Sequence, residues 1–121
     1  MAPGGAVTEA EVEVLEREPG RARLRLRIPP DLHYFRGHFT GAPILPGVVQ
    51  LHWAARKARQ LFALHGEPSG LRTVKFQQLI QPDDAVELEL HDERERGRVR
   101  FRFQSERGVH SSGLLIWPNA E

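Results

Sequence analysis

His38 and Gly47 are the residues whose types and spacing first suggest chemistry in this chain. Histidine is the side chain most easily used as a proton acceptor near neutral pH. Gly47 follows Pro46 and opens an uninterrupted run of helix-compatible residues. Its backbone N–H therefore belongs to the unpaired donors at a helix start, beside the positive end of the helix dipole. Such donors suit a carbonyl oxygen or an anion. A base nine residues ahead of an oxyanion-type site is the nucleus of an acid–base reaction centre.

The elements that must position these groups lie in residues 34–59, YFRGHFTGAPILPGVVQLHWAARKAR. Gly37, Gly41, Pro43 and Pro46 flank the apolar pair Ile44 and Leu45, which suits a rigid, shaped loop rather than a regular element. A helix is predicted from Gly47 to about His65, where Gly66 and Pro68 stop it. Val48, Leu51, His52, Ala55, Ala58 and Phe62 recur at spacings of three and four and form one stripe. That stripe places His52 inward, with Arg56, Lys57, Arg59 and Gln60 on the rest of the surface.

The remainder of the chain reads as strands. Residues 10–18 alternate, and Pro19-Gly20 follows as a turn. Residues 21–28 have the cleanest period of two, with Ala22, Leu24, Leu26 and Ile28 alternating with Arg21, Arg23, Arg25 and Arg27. These two strands make a hairpin. Beyond the helix, residues 71–80 read as a strand and residues 82–84 as a turn. Val86, Leu88 and Leu90 then alternate with Glu87, Glu89 and His91. DERERG, residues 92–97, is a polar hairpin turn before Val99, Phe101 and Phe103, which alternate with Arg98, Arg100 and Arg102. A turn at residues 106–108 leads into a last strand over residues 109–117. Glutamate rows are expected opposite arginine rows, so the arginines form a solvated sheet face rather than a nucleic-acid patch. Aromatic residues do not interleave with them, as single-strand binding would require.

One helix between a leading hairpin and trailing antiparallel strands implies a single α+β domain over residues 1–121, with residues 1–8 a flexible terminus. A single sheet around one helix leaves surface in need of cover, and dimerisation supplies it. Lys+Arg of 17 against Asp+Glu of 16 leaves a net charge of +1, too balanced to indicate nucleic acid. The absence of cysteine excludes disulfides, thiolate metal sites and cysteine nucleophiles. His33, His65, His91 and His110 lack metal-ligand spacing, so no metal is expected. Trp53, Phe62, Phe76 and Trp117 read as core or interface packing. No run approaches the ~18 apolar residues of a membrane span, and the first residues lack the pattern of a signal peptide, so a cytoplasmic location is expected.

The string GHFTGAPILPGVVQLHWA resembles the active-site segment of the hotdog-fold 3-hydroxyacyl-[acyl carrier protein] dehydratases, and is most similar to the branch associated with aryl polyene biosynthesis. VKFQQLIQPDDAVELEL is similar to that family's later strand-turn-strand segment. The resemblance implies a hotdog fold, a long central helix wrapped by a curved antiparallel sheet, with two subunits joined edge to edge as a homodimer or dimer of dimers. It implies His38 as the catalytic base and Gly47 as the N–H that polarises the thioester carbonyl. It places Phe39, Gly41, Pro46 and Val48 against the substrate, and position 52 where the family has its acid, supplied across the dimer interface. No cofactor is implied beyond the phosphopantetheine of a carrier protein, or coenzyme A, that bears the acyl group. Arg36, Arg56, Lys57 and Arg59 would form a basic rim for acyl carrier protein.

Position 52 is histidine here, and no Asp or Glu lies between Asp31 and Glu67 to replace the family's carboxylate. Thr40 and Asp83 also depart from the family pattern, at a proline and a glycine. An imidazole of ordinary pKa, ~6.5, is roughly a quarter protonated at pH 7. The substitution implies a weak, acid-shifted dehydratase or none. The alternatives are a non-catalytic module binding acyl thioester or carrier protein, and an acyl thioesterase.

Overall fold

The computed structural model describes residues 6–35 and 43–118. Six strands, β1 (Glu11–Glu18), β2 (Arg21–Arg27), β3 (Gly70–Phe76), β4 (Ala85–Glu93), β5 (Arg98–Ser105) and β6 (Gly108–Ile116), surround one helix, α1 (Gly47–Leu61). The strands form one sheet in the order β1-β2-β4-β5-β6-β3, with every pairing antiparallel.

Alternation explains both faces of this sheet. Ala22, Leu24, Leu26, Val86, Leu88, Leu90, Val99, Phe101 and Phe103 are buried against α1. The residues between them carry the expected charge ladder: Arg25 lies opposite Glu13 and Glu87, and Glu89 lies opposite Arg23 and Arg102. Arg23 donates to Glu16 at 3.2 Å and to Glu87 at 3.0 Å. Glu89, nearly buried, accepts from Arg21 at 3.2 Å and Arg102 at 3.1 Å. Burial pushes the Glu89 carboxyl up, but the bonds from Arg21 and Arg102 and the charges of Arg102 and His91 outweigh it and hold the group below its ordinary value.

The helix meets the sheet on part of the expected stripe only: Ala58 and Phe62 are buried and Leu51 and Ala55 pack against the core, while Val48 and His52 do not. The buried positions are Val49, Gln50, Trp53, Ala54 and Ala58. Val48 is 72% exposed, and His52 points to the surface rather than inward. Residues 48, 51, 52 and 55 share helical spacing just as residues 49, 50, 53, 54 and 58 do, so periodicity alone does not choose between the two arcs. Ala54, Ala58 and Trp53 are buried in the interface between α1 and the sheet. Trp53, Phe62 and Trp117 are core residues, whereas Phe76 is 52% exposed.

The helix also ends at Leu61 rather than near His65. Ala63 adopts a left-handed φ of 53°. The Leu64 N–H turns back to the Arg59 carbonyl at 3.1 Å, which closes the last turn and buries Leu64. Arg94 donates to the Phe62 carbonyl at 2.7 Å and places a cation at the negative end of the dipole.

Two expected strand limits shift. β4 runs on through Glu93, and residues 94–96 form a short 3-10 turn. β3 stops at Phe76 because the Gln77 and Gln78 N–H groups both turn to the His110 carbonyl, at 2.8 and 3.2 Å. β3 also bulges between Arg72 and Lys75, where Thr73 has a φ of 51°.

The two sheet edges differ in character. β1 carries Glu11, Glu13, Glu16 and Glu18, charges that discourage pairing by another strand. Beside the β3 edge, Leu71 is 48%, Phe76 52% and Leu79 58% exposed.

Candidate functional site

Pro46 is the residue before α1, with φ −60° and ψ 146°, and makes no side-chain cap. The Val49 and Gln50 N–H groups share the Pro46 carbonyl at 3.1 and 3.2 Å. Among the described residues the Gly47 and Val48 N–H groups have no acceptor, and they lie at the positive end of the helix dipole. Gly47 opens into a mostly apolar hollow of about 380 Å³ shared with Ile44, Leu45, Gln50, Phe76 and Leu79.

Phe76 packs against the space that a side chain at position 47 would need. A Cβ at Gly47 would sit 2.7 Å from Phe76 Cζ and 2.8 Å from Phe76 Cε1. The ring therefore rests on the glycine and forms one wall of the hollow.

His52 borders a different hollow, of about 350 Å³, with Val48, Leu51, Ala55, Leu71 and Leu115. Five residues at ~100° each put Gly47 and His52 about 140° apart around the helix. The described residues of one chain therefore do not bring these two groups together.

His38, Phe39, Gly41 and Arg36 lie outside the described residues. Pro46 and Val48 flank Gly47 as expected, Val48 strongly exposed. Arg56 pairs with Glu9 and Arg59 with Glu67, so both have carboxylate partners within the chain. Lys57 stands between them on α1. Among the described residues no cluster of His, Asp and Glu is placed to hold a metal ion, and no helix is long and apolar enough to cross a membrane.

The sequence reading missed Gln50 and Ser111. Both are buried, at 4% and 0% exposure. Ser111 Oγ donates to Gln50 Oε1 at 2.7 Å, and Gln50 Nε2 donates to the Leu45 carbonyl at 3.2 Å. The available signal was the amide itself, one polar side chain among Val49, Trp53 and Ala54.

A helix packed on a six-stranded antiparallel sheet defines a hotdog fold. Residues 14–114 match the family model described as ApeI-like, ApeI dehydratase, and the chain belongs to that family. Its fold is similar to that of the dehydratase heterocomplex ApeI:P from Xenorhabdus doucetiae, with a TM-score of 0.78 and 30% identity over 88% of this chain and 96% of that one. A hypothetical thioesterase from Streptococcus pneumoniae TIGR4 shares the fold at a TM-score of 0.65 and 10% identity, covering 92% of this chain and 95% of that one. Among curated relatives, the 3-hydroxyacyl-[acyl-carrier-protein] dehydratase FabZ of Anaeromyxobacter sp. (strain K) is 29% identical over 97 residues. That match takes in 71% of this chain and 62% of the relative's length.

Proposed function

We propose that this chain serves dehydration of 3-hydroxyacyl thioesters borne by the phosphopantetheine of acyl carrier protein, within an assembly of two hotdog chains. The observation that carries the reading is the helix start at Gly47, whose N–H has no acceptor among the described residues and which opens into a mostly apolar hollow. Coenzyme A presents the same acyl thioester and is the other carrier to test.

In this reading the thioester carbonyl accepts a hydrogen bond from the Gly47 N–H. His38 removes a proton from the α-carbon, and the electron pair moves toward the carbonyl oxygen as enolate character. Return of that pair forms the α–β double bond and breaks the β-carbon–oxygen bond. The departing hydroxide takes a proton and leaves as water. The proton donor is the group at position 52 of the facing chain.

In a homodimer that donor is His52 as imidazolium. The ApeI:P relative is a heterocomplex. A non-identical hotdog partner with a carboxyl group at the corresponding helix position would give this chain's His38 a better acid. Among the described rim cations, Lys57 is the one without a carboxylate partner, since Arg56 pairs with Glu9 and Arg59 with Glu67.

The test is a panel of 3-hydroxyacyl thioesters, with enoyl product and free thiol followed together from pH 5 to 9 and His38→Ala as control. Enoyl product that disappears in the control supports the proposal. Free thiol without enoyl product moves the activity to thioester hydrolysis. Neither product, with retained affinity for acyl carrier protein, leaves a binding module, a reading that the histidine at position 52 specifically favours.

A further inference from the structure

We infer that Gln50 is the positioning residue that aims the Gly47 N–H, an inference that rests on the carbonyl-polarising role proposed for Gly47. Burying an amide is costly unless its hydrogen bonds are made. Gln50 makes them to two separate parts of the fold. Its Oε1 accepts from Ser111 Oγ on β6 at 2.7 Å, and its Nε2 donates to the Leu45 carbonyl at 3.2 Å.

The Leu45 peptide groups are then held from both sides, because the Leu45 N–H donates to the Ile80 carbonyl at 2.8 Å. Only Pro46 separates Leu45 from Gly47, and its ring fixes φ, here at −60°. With the Leu45 carbonyl clamped and that angle locked, a single torsion, ψ of Pro46, still sets the plane of the Pro46–Gly47 peptide. That plane carries the Gly47 N–H.

The sheet side of the clamp is continuous with the hollow. Ser111 lies opposite Phe76 in the β3–β6 register, and the Phe76 ring rests on Gly47. The Gln50–Ser111 bond and the Phe76–Gly47 contact thus fix the same helix turn from adjacent strands. Methionine at position 50 would fill similar space without either hydrogen bond, so burial alone does not require the amide. The amide adds direction: it acts on the donor through Leu45 and Pro46.

The experiment uses the full chain labelled with 15N, as wild type, Gln50→Met and Ser111→Ala. Residual dipolar couplings report the orientation of the Gly47 N–H relative to residues 53–58 of α1. Crotonyl-pantetheine serves as the thioester probe. Gln50→Met is expected to change the Gly47 coupling, leave those of residues 53–58 unchanged, and weaken the probe about tenfold, as for one misdirected hydrogen bond. Ser111→Ala, which removes only the sheet-side bond, is expected to act in the same direction and more weakly, and it carries the test if Gln50→Met fails to fold. An unchanged Gly47 coupling in the folded variants overturns the inference. If crotonyl-pantetheine leaves the Gly47 amide signal of the wild type unmoved, the carbonyl-polarising role falls, while the couplings still decide whether Gln50 sets the orientation.

Discussion

Gly47 and His52 lie on the same helix, five residues apart, and open into different hollows. Gly47 faces the side closed by Phe76 and Leu79, and His52 faces the side closed by Leu71 and Leu115. About 140° of rotation separates them around the axis. A reaction that uses both kinds of group must draw them from two chains.

The first prediction concerns that pairing. The β3 edge and the adjoining helix flank expose Val48, Leu71, Phe76 and Leu79, a set suited to burial against another chain. Wild-type protein is expected to sediment as a dimer or larger. Val48→Arg with Leu71→Glu is expected to yield a folded monomer, read by sedimentation and far-ultraviolet circular dichroism. A wild-type protein that stays monomeric at assay concentration contradicts a site shared between chains.

The second concerns the proton donor. Catalysis by the pair of His38 and His52 needs a proton on the donor at position 52 and none on His38, so enoyl formation is expected to show a bell-shaped dependence on pH. His52→Asp puts back the carboxylate that the resemblance implies at position 52 and is expected to raise turnover at neutral pH by about a hundredfold, the lower end of what one general acid supplies. Steady-state turnover against pH measures both effects. A His52→Asp protein that binds acyl thioester and remains inert shows that the deficit does not reside in this one residue.

The third separates stability from function at the helix start. Gly47→Ala pushes its new methyl group against the Phe76 ring, whose end is half exposed and can swing aside. Alanine's better helix propensity offsets part of that cost. The net stability change is expected to be less than ~1 kcal/mol in thermal unfolding, while turnover falls because the displaced ring enters the hollow. Adding Phe76→Ala is expected to recover much of the lost turnover. A double variant no better than Gly47→Ala would show that the ring is not the obstacle.

The fourth is a pH dependence of stability. Hydrogen bonds from Arg23 to Glu16 and from Arg98 to Glu93 hold these carboxyls below their ordinary value of 4.5. Glu89 is lowered as well, against the opposing effect of its own burial. A carboxyl whose folded pKa is depressed contributes stability above its unfolded value and loses it as pH falls through the folded one. The urea midpoint is therefore expected to hold near neutrality and to drop once pH passes below about 4.5. Glu89→Gln removes the carboxylate that faces Arg21, Arg102 and His91, and is expected to lower the neutral-pH midpoint and flatten the acid limb.

Much of this protein is determined by relationships that are local in the chain. The alternation of Leu24 and Leu26 with Arg23 and Arg25 specifies a two-faced strand, since successive side chains point to opposite sides. Pro46-Gly47 places a helix start and its terminal N–H donors from two adjacent residues. Opposed rows of glutamate and arginine make the strand partners legible as well.

Other features depend on which distant surfaces meet. Two apolar arcs share the helix, and contact with the sheet buries Trp53 and leaves His52 exposed. Gln50 and Ser111 are 61 residues apart, and Gly47 meets Phe76 only once β3 has paired with β6. Helical and strand periodicities describe the direction of side chains relative to their own backbone. The partner that each face finds is set by long-range packing, and in this chain that packing decided where the helix start is aimed.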